Sequence, residues 1–188
     1  MIDLTKAILP SSIFVDGKIF KIKTDHYYWI MFSNILCKKE VRLDSFDYLY
    51  EGEILGDKLI SGRIPDNQQV GFSALKDFFI AQEELPRKND DANNISVINY
   101  NVDGSLIYAA FKQQYNIDII DTPIHWHKFC ALLRGVKGTL LNDVIEYRLY
   151  DRALSNYDDT MASLKEAWAL QEDNYYNDSL EKFNNRFD

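Results

Sequence analysis

The sequence has 188 residues, 46% hydrophobic and 14% aromatic, with 12 Tyr and 11 Phe, enough chain and enough apolar side chain for a real core and too much for disorder throughout. Its formal charge of -8 and pI near 4.9 argue against a nucleic-acid partner, since neutralising phosphates takes a cationic surface. They favour solubility or a basic protein partner.

The strongest local signal comes first. In Ile13 to Ile22, Asp16-Gly17 sits between two apolar runs and supplies the positive backbone angles of a tight hairpin turn. Pairing Val15 with Lys18 and Ile13 with Phe20 puts Ile13, Val15, Phe20 and Ile22 on one face. A two-stranded hairpin is marginal in water, so that face needs cover from the chain's own helices. The next helix opens at Thr24 or Asp25 as cap and carries Tyr28, Met31, Phe32, Ile35 and Leu36 at helical spacing.

Leu43, Phe46, Tyr48, Leu49 and Tyr50 fit a short helix that Glu51-Gly52 and Leu55-Gly56 break. After Pro65-Asp66 a cleaner helix has Val70, Ala74, Leu75, Phe78 and Phe79 on one side and Gln68, Gln69, Lys76 and Asp77 on the other, ending before Pro86. Residues 86–94 are polar and turn-rich, an exposed loop. Ser96 to Tyr100 reads as a short strand or an extended arm.

The stretch Asp103 to Arg148 has the clearest punctuation. Asp103 is placed to cap the free amides of a helix bearing Leu106, Ile107, Ala110, Phe111 and Tyr115, and Asn116 takes the left-handed position that ends it. A second helix is expected from Pro123, capped by Thr122 or Asp121, carrying Ile124, Trp126, Phe129, Cys130, Leu132, Leu133 and Val136 and ending between Gly135 and Gly138. Leu140, Leu141, Val144, Ile145 and Arg148 then resume an apolar pattern, as a strand or short helix. Asp158-Asp159-Thr160 starts a last helix with Met161, Leu164, Ala167 and Trp168. Residues 173–188 mix Asn with Tyr and Phe, and read as a frayed helix or as a tail that orders on a partner.

Chemistry-bearing motifs are scarce. His125 and His127 point about 200° apart on a helix, so they cannot share an ion; only His127 and Cys130 face together, and two ligands do not make a zinc site. The sequence has no Gly-rich phosphate loop, H-E-x-x-H or G-x-S-x-G. No catalytic residue, cofactor-binding residue, metal ligand or small-molecule substrate is expected, and the chain reads as a non-enzyme. Cys37 and Cys130 read as reduced core thiols. Trp126 reads as core filler beside a His125 that caps or bonds a neighbouring carbonyl, or else the pair forms a contact site. Arg134 and Arg148 read as surface or carbonyl-binding residues, or as a bidentate anchor for a carboxylate. With no leader and no apolar run of about 20 residues, no membrane association is expected.

The runs Ile107-Tyr108-Ala109-Ala110-Phe111, Tyr115-Asn116-Ile117-Asp118, Ile124-His125-Trp126-His127-Lys128-Phe129, Ala131-Leu132-Leu133-Arg134-Gly135, and Val144-Ile145 with Arg148 carry a further signal. In that order they resemble the bacteriophage gene-product-fifteen family, whose pattern is I-Y-A-x-F, Y-G-I-D, L-H-W-W-x-F, A-L-L-x-G-L and I-x-x-R. Asn116 stands in place of the usual Gly and His127 in place of the usual second Trp. The resemblance implies a tailed-phage morphogenesis protein similar to tail assembly chaperones, binding the tape-measure protein and meeting tail-tube proteins in the host cytoplasm. The face with Phe111, Tyr115, Trp126 and Phe129 is then the partner-binding groove or its core support. The alternative is a structural virion protein of the tail or head-tail junction, self-associating into a ring through the hairpin or the tail after Asp173.

The fold class expected is mainly α: one helical domain over residues 1–172, with an N-terminal β-hairpin at 13–22, an exposed loop at 86–94, a helical core at 103–148, and a tail at 173–188.

Overall fold

Two adjacent residues with positive φ define a type I′ turn, and Asp16 (φ 46) and Gly17 (φ 79) supply them. The computed structural model, which describes residues 2, 4–6, 8–36, 59–62, 65–80, 97–151 and 158–170, builds on this turn an antiparallel hairpin of β1 (Ser12–Val15) and β2 (Lys18–Lys21). Its register is the expected one: Val15 pairs with Lys18, Phe14 with Ile19, Ile13 with Phe20 and Ser12 with Lys21. Ile13, Val15 and Ile22 are buried and Phe20 is half-buried, while Phe14 and Ile19 point outward. Six helices among the described residues make the fold mainly helical: α1 (His26–Leu36), α2 (Gln68–Ile80), α3 (Gly104–Tyr115), α4 (Trp126–Gly135), α5 (Leu140–Leu149) and α6 (Asp159–Ala167). The sequence signals at Leu43 to Tyr50, at 86–94, at Cys37 and beyond 173 lie outside the described residues.

The chain forms two compact units, one of Met1–Asp90 with Ile119–Gly135 and the other of Asp91–Asp118 with Val136–Asp188. The stretch from Asp103 to Arg148 therefore contributes to both. In the first unit α2 packs on β1 and α1 packs on α4. Backbone pairing ties distant segments together: the Lys23 N–H donates to the Leu59 carbonyl, the Ser61 N–H to Lys21, the His26 N–H to Ile124 and the Trp126 N–H to Thr24. In the second unit α5 packs on both α3 and α6.

Several local expectations shift. Helix α4 begins at Trp126, not Pro123, because the backbone of Ile124 and Trp126 is already bonded to Thr24 and His26 in a short antiparallel bridge between Asp25 and His125. The buried stripe of α1 is His26, Trp29, Phe32 and Ser33 rather than one through Tyr28 and Met31, which are half-buried. In α2 the core side is Phe72, Leu75 and Phe78, while Val70 is exposed. The helix is capped by Asn67, whose Oδ1 accepts the Val70 N–H and whose carbonyl accepts that of Gly71. The segment after Gly138 is helix α5, where the sequence left strand and helix open.

Trp29 sits at the centre of the first unit's core. It is fully buried, its indole N–H donates to the Lys23 carbonyl at 2.9 Å, and its ring lies 4.5 Å from Phe78 and 5.5 Å from Phe32. Replacing it by alanine removes the ring contacts and orphans a carbonyl, with an expected loss of about 3–5 kcal/mol. Val70→Ala, on an exposed helical face, should stay within about 0.5 kcal/mol of the parent. Urea unfolding midpoints of the two variants check both values.

Candidate functional site

All three histidines of the chain lie in the first unit, each close to a buried aromatic ring. His125 is the residue before α4 and acts as its cap: its carbonyl accepts the Phe129 N–H at 2.9 Å and its Nδ1 accepts the His127 N–H at 3.1 Å. A nitrogen that accepts a backbone N–H carries no proton, so Nε2–H is left to donate to the Pro10 carbonyl at 2.8 Å. His125 is therefore both a helix cap and a carbonyl partner. His127 Nε2 donates to the Phe78 carbonyl at 3.0 Å, and its Nδ1 is buried with no hydrogen-bond partner among the described residues. His26 Nδ1 accepts the Ile124 N–H at 3.3 Å. Burial is the leading cause that lowers the pKa of each of the three below the usual 6.5.

The rings form a continuous stack. Phe79 lies on Trp126 (5.2 Å, 13°), Trp126 on Phe129 (5.6 Å, 18°) and Phe129 on His26 (5.1 Å, 16°). Trp126 also donates its indole N–H to the Phe79 carbonyl at 2.8 Å. Cys130, at the next turn of α4, is a buried free thiol whose pKa burial pushes up to about 12, which keeps it protonated and unreactive at neutral pH. Among the described residues, no group of three or more His, Cys, Asp or Glu is placed to hold a metal ion.

The second unit is organised by a sealed ion pair. Arg148 Nη1 and Nη2 donate to the two carboxylate oxygens of Asp103 at 2.7 and 2.8 Å, with the side chains 4% and 1% exposed. The same guanidinium donates to the carbonyls of Trp168 and Val97, each at 2.8 Å, and Asp103 also accepts the Asn99 N–H at 2.8 Å. Asp103 thus precedes α3 without its carboxylate capping the helix, contrary to the expectation from sequence; only its carbonyl does so, to Ile107. The guanidinium draws the carboxylate away from the helix end because a buried cation demands a counter-charge. Arg148 is both a carbonyl binder and a bidentate carboxylate anchor, and the carboxylate is internal.

Of the four residues singled out for partner binding, Trp126 and Phe129 belong to the first unit and Phe111 and Tyr115 to the second. Phe111, Trp126 and Phe129 are buried, and Tyr115 is half-exposed with its ring edge-on to Phe111 at 5.8 Å. Asn116 takes the left-handed conformation (φ 53) as expected. Apolar side chains that do reach solvent include Phe14 and Ile19 on the hairpin and Leu140 and Leu149 on α5, the last two flanking the exposed Asp143 and Glu146. A cleft of about 440 Å³ beside α6 is lined by Tyr150, Asp151, Ala162, Lys165, Glu166 and Ala169, with Lys165 Nζ held by the Tyr150 carbonyl at 2.6 Å.

A family profile described as Bacteriophage Gp15 protein matches residues 6–170, the span that holds the histidine cap, the ring stack and the buried ion pair. The chain belongs to that family. It is a bacteriophage protein of the morphogenesis and structural class. No curated protein and no solved structure matches this Gp15-family chain. Among its described residues, no helix is long and apolar enough to cross a membrane.

The ion pair and the histidines each give this Gp15-family protein a measurable property. Arg148→Ala strands a buried carboxylate and Asp103→Ala strands a buried guanidinium, so each single change is expected to cost about 3–5 kcal/mol. Replacing both together with apolar residues should cost clearly less than the sum of the two, as read from denaturant midpoints. The histidines are neutral in the fold with lowered pKa values, so an unfolded chain binds more protons wherever the pH lies below about 6.5. Their contribution is therefore complete above that pH and declines as pH falls through the window below it. The melting temperature should drop between about pH 7 and pH 5, ahead of carboxylate titration, and a flat profile there would contradict the neutral assignment.

Proposed function

We propose that this Gp15-family protein is a tail assembly chaperone that binds the phage tape-measure protein and keeps it soluble until tail-tube subunits polymerise around it. It acts in the host cytoplasm, by binding and without catalysis. The observation that carries this reading is family membership across residues 6–170. The arrangement of side chains supports binding as the mode of action. The histidines bond to carbonyls and backbone amides and pack against rings, the cysteine is buried, and on α5 two exposed leucines flank two exposed carboxylates. A long helical client with apolar stripes can make many weak contacts with such a surface and be displaced from it by polymerising tube subunits. Within the first unit Trp126 and Phe129 serve as core support, and within the second Phe111 supports Tyr115, which is half-exposed beside it and reaches the client.

Co-expression with the tape-measure protein of the same phage, followed by size-exclusion chromatography with light scattering, tests the proposal. The expected outcome is a tape-measure protein that is soluble only with this protein present, the two eluting together with several copies of this protein per client. Stoichiometric recovery of this protein in purified virions, with an insoluble tape-measure protein in the co-expression, would instead make it a structural tail component.

A further inference from the structure

The hairpin has two edges, and the structure treats them differently. In a two-residue hairpin the pair flanking the turn is hydrogen-bonded, so Val15–Lys18 and Ile13–Phe20 exchange bonds within the ladder, and Ile22 continues that phase by donating to the Ser11 carbonyl at 3.0 Å. The alternate residues, Ser12 and Phe14 on β1 and Ile19 and Lys21 on β2, direct their backbone groups outward. On the β2 side the Lys21 carbonyl is taken by the Ser61 N–H at 2.9 Å, and Lys23, next in phase, donates to Leu59 at 2.8 Å. On the β1 side, Pro10 has no N–H and its carbonyl is taken by His125. The outward N–H and C=O groups of Ser12 and Phe14 have no partner among the described residues.

The open window is thus one hydrogen-bonded register long, closed by Pro10 at one end and by the turn at the other. It is also uncharged: from Ile8 to Val15 no residue carries a formal charge, whereas β2 carries Lys18 and Lys21. Exposed strand edges are ordinarily guarded by lysine, proline within the strand, or cover; β1 carries no lysine or proline over Ser12–Val15, and although α2 packs on β1, Ser12 and Phe14 stay exposed. Phe14 and Ile19, paired across the strands, are 67% and 73% exposed on the face away from the core.

We infer that β1 is an edge-to-edge pairing site for a second copy of this chain, giving a two-fold dimer with a four-stranded antiparallel sheet in the order β2-β1-β1-β2. The strand is its own complement. With the two-fold axis at Ile13, Ser12 of each copy meets Phe14 of the other, and all four outward donors and acceptors of each pair are satisfied. Shifting the register by two residues in either direction leaves half of them unmet, because Ser12 or Phe14 then faces Pro10 or Asp16. The absence of charge across the window lets two chains of formal charge -8 meet without like charges at the junction.

The test is light scattering on the full chain across a concentration series, with variants placed by the edge. Ser12→Pro removes only an outward N–H and leaves the ladder's own bonds in place. Phe14→Lys sets a charge at the junction from an exposed position, and Ile19→Lys, equally exposed but on the far strand, is the control. Circular dichroism and melting curves establish that each variant is folded, and if Ser12→Pro is not, Phe14→Lys carries the test alone. The wild-type chain is expected at twice its 22.0 kDa mass, and so is Ile19→Lys. Ser12→Pro loses two of the four bonds and should dissociate roughly thirtyfold more readily or worse. Phe14→Lys should run at the monomer mass. A wild-type chain that is monomeric at every concentration, or any assembly whose mass neither edge variant changes, overturns the inference. So does a monomeric chain whose edge variants lose hold of a co-expressed tape-measure protein, since β1 would then receive a foreign strand.

Discussion

A guanidinium withdrawn from water must place its protons on acceptors or unfold the region around it, and Arg148 meets that demand with four hydrogen bonds to three separate parts of the second unit. Two go to Asp103 at the start of α3, one to Val97 ahead of it and one to Trp168 at the end of α6. Since Arg148 itself belongs to α5, a single side chain ties together the three described helices of that unit. Apolar packing by Ile107, Phe111, Leu141 and Val144 supplies the driving force. It is indifferent to small rotations, whereas a two-pronged bond to a carboxylate is not.

The first unit solves the same problem with backbone and rings. The bonds between Thr24, His26, Ile124 and Trp126 bring α1 and α4 together at their starts, and the capping by His125 fixes where α4 begins. From there Trp126 and Phe129 fall into line with Phe79 and His26. Each histidine works as an oriented polar group inside an apolar setting, and burial is the leading cause that lowers its pKa.

What could be read from the sequence was what local chemistry decides. Asp16-Gly17 admits one kind of turn, and the turn sets the hairpin register, so strand pairing and its buried face followed from two residues. Asn116 after an amphipathic run, and Asp158 ahead of Thr160 and Met161, marked helix ends for the same reason. Asp103 misled because a carboxylate ahead of a helix has the same appearance whether it caps that helix or answers an arginine 45 residues later. The start of α4 was misplaced because Pro123 is a good first helical residue in isolation, and only the pairing with Thr24 and His26 forbids it. Trp29 and Phe72 escaped notice because a stripe displaced by one residue satisfies helical spacing nearly as well, and what chooses between the two is the neighbouring element. For the candidate binding residues, the sequence identified large rings but could not show that three of the four face inward.

The first unit is discontinuous in sequence: its initial ninety residues are separated from Ile119–Gly135 by a segment that belongs to the other unit. A ribosome delivers the chain from one end, so Phe79 and His26 emerge well before Trp126 and Phe129, the rings they stack against. Until then the aromatic surface of α1 and α2 lacks its cover, and the His26 N–H lacks the Ile124 carbonyl. In the second unit Asp103 likewise waits for Arg148. Neither half can close early, and the nascent protein holds those rings without their partners until Trp126 and Phe129 have been made.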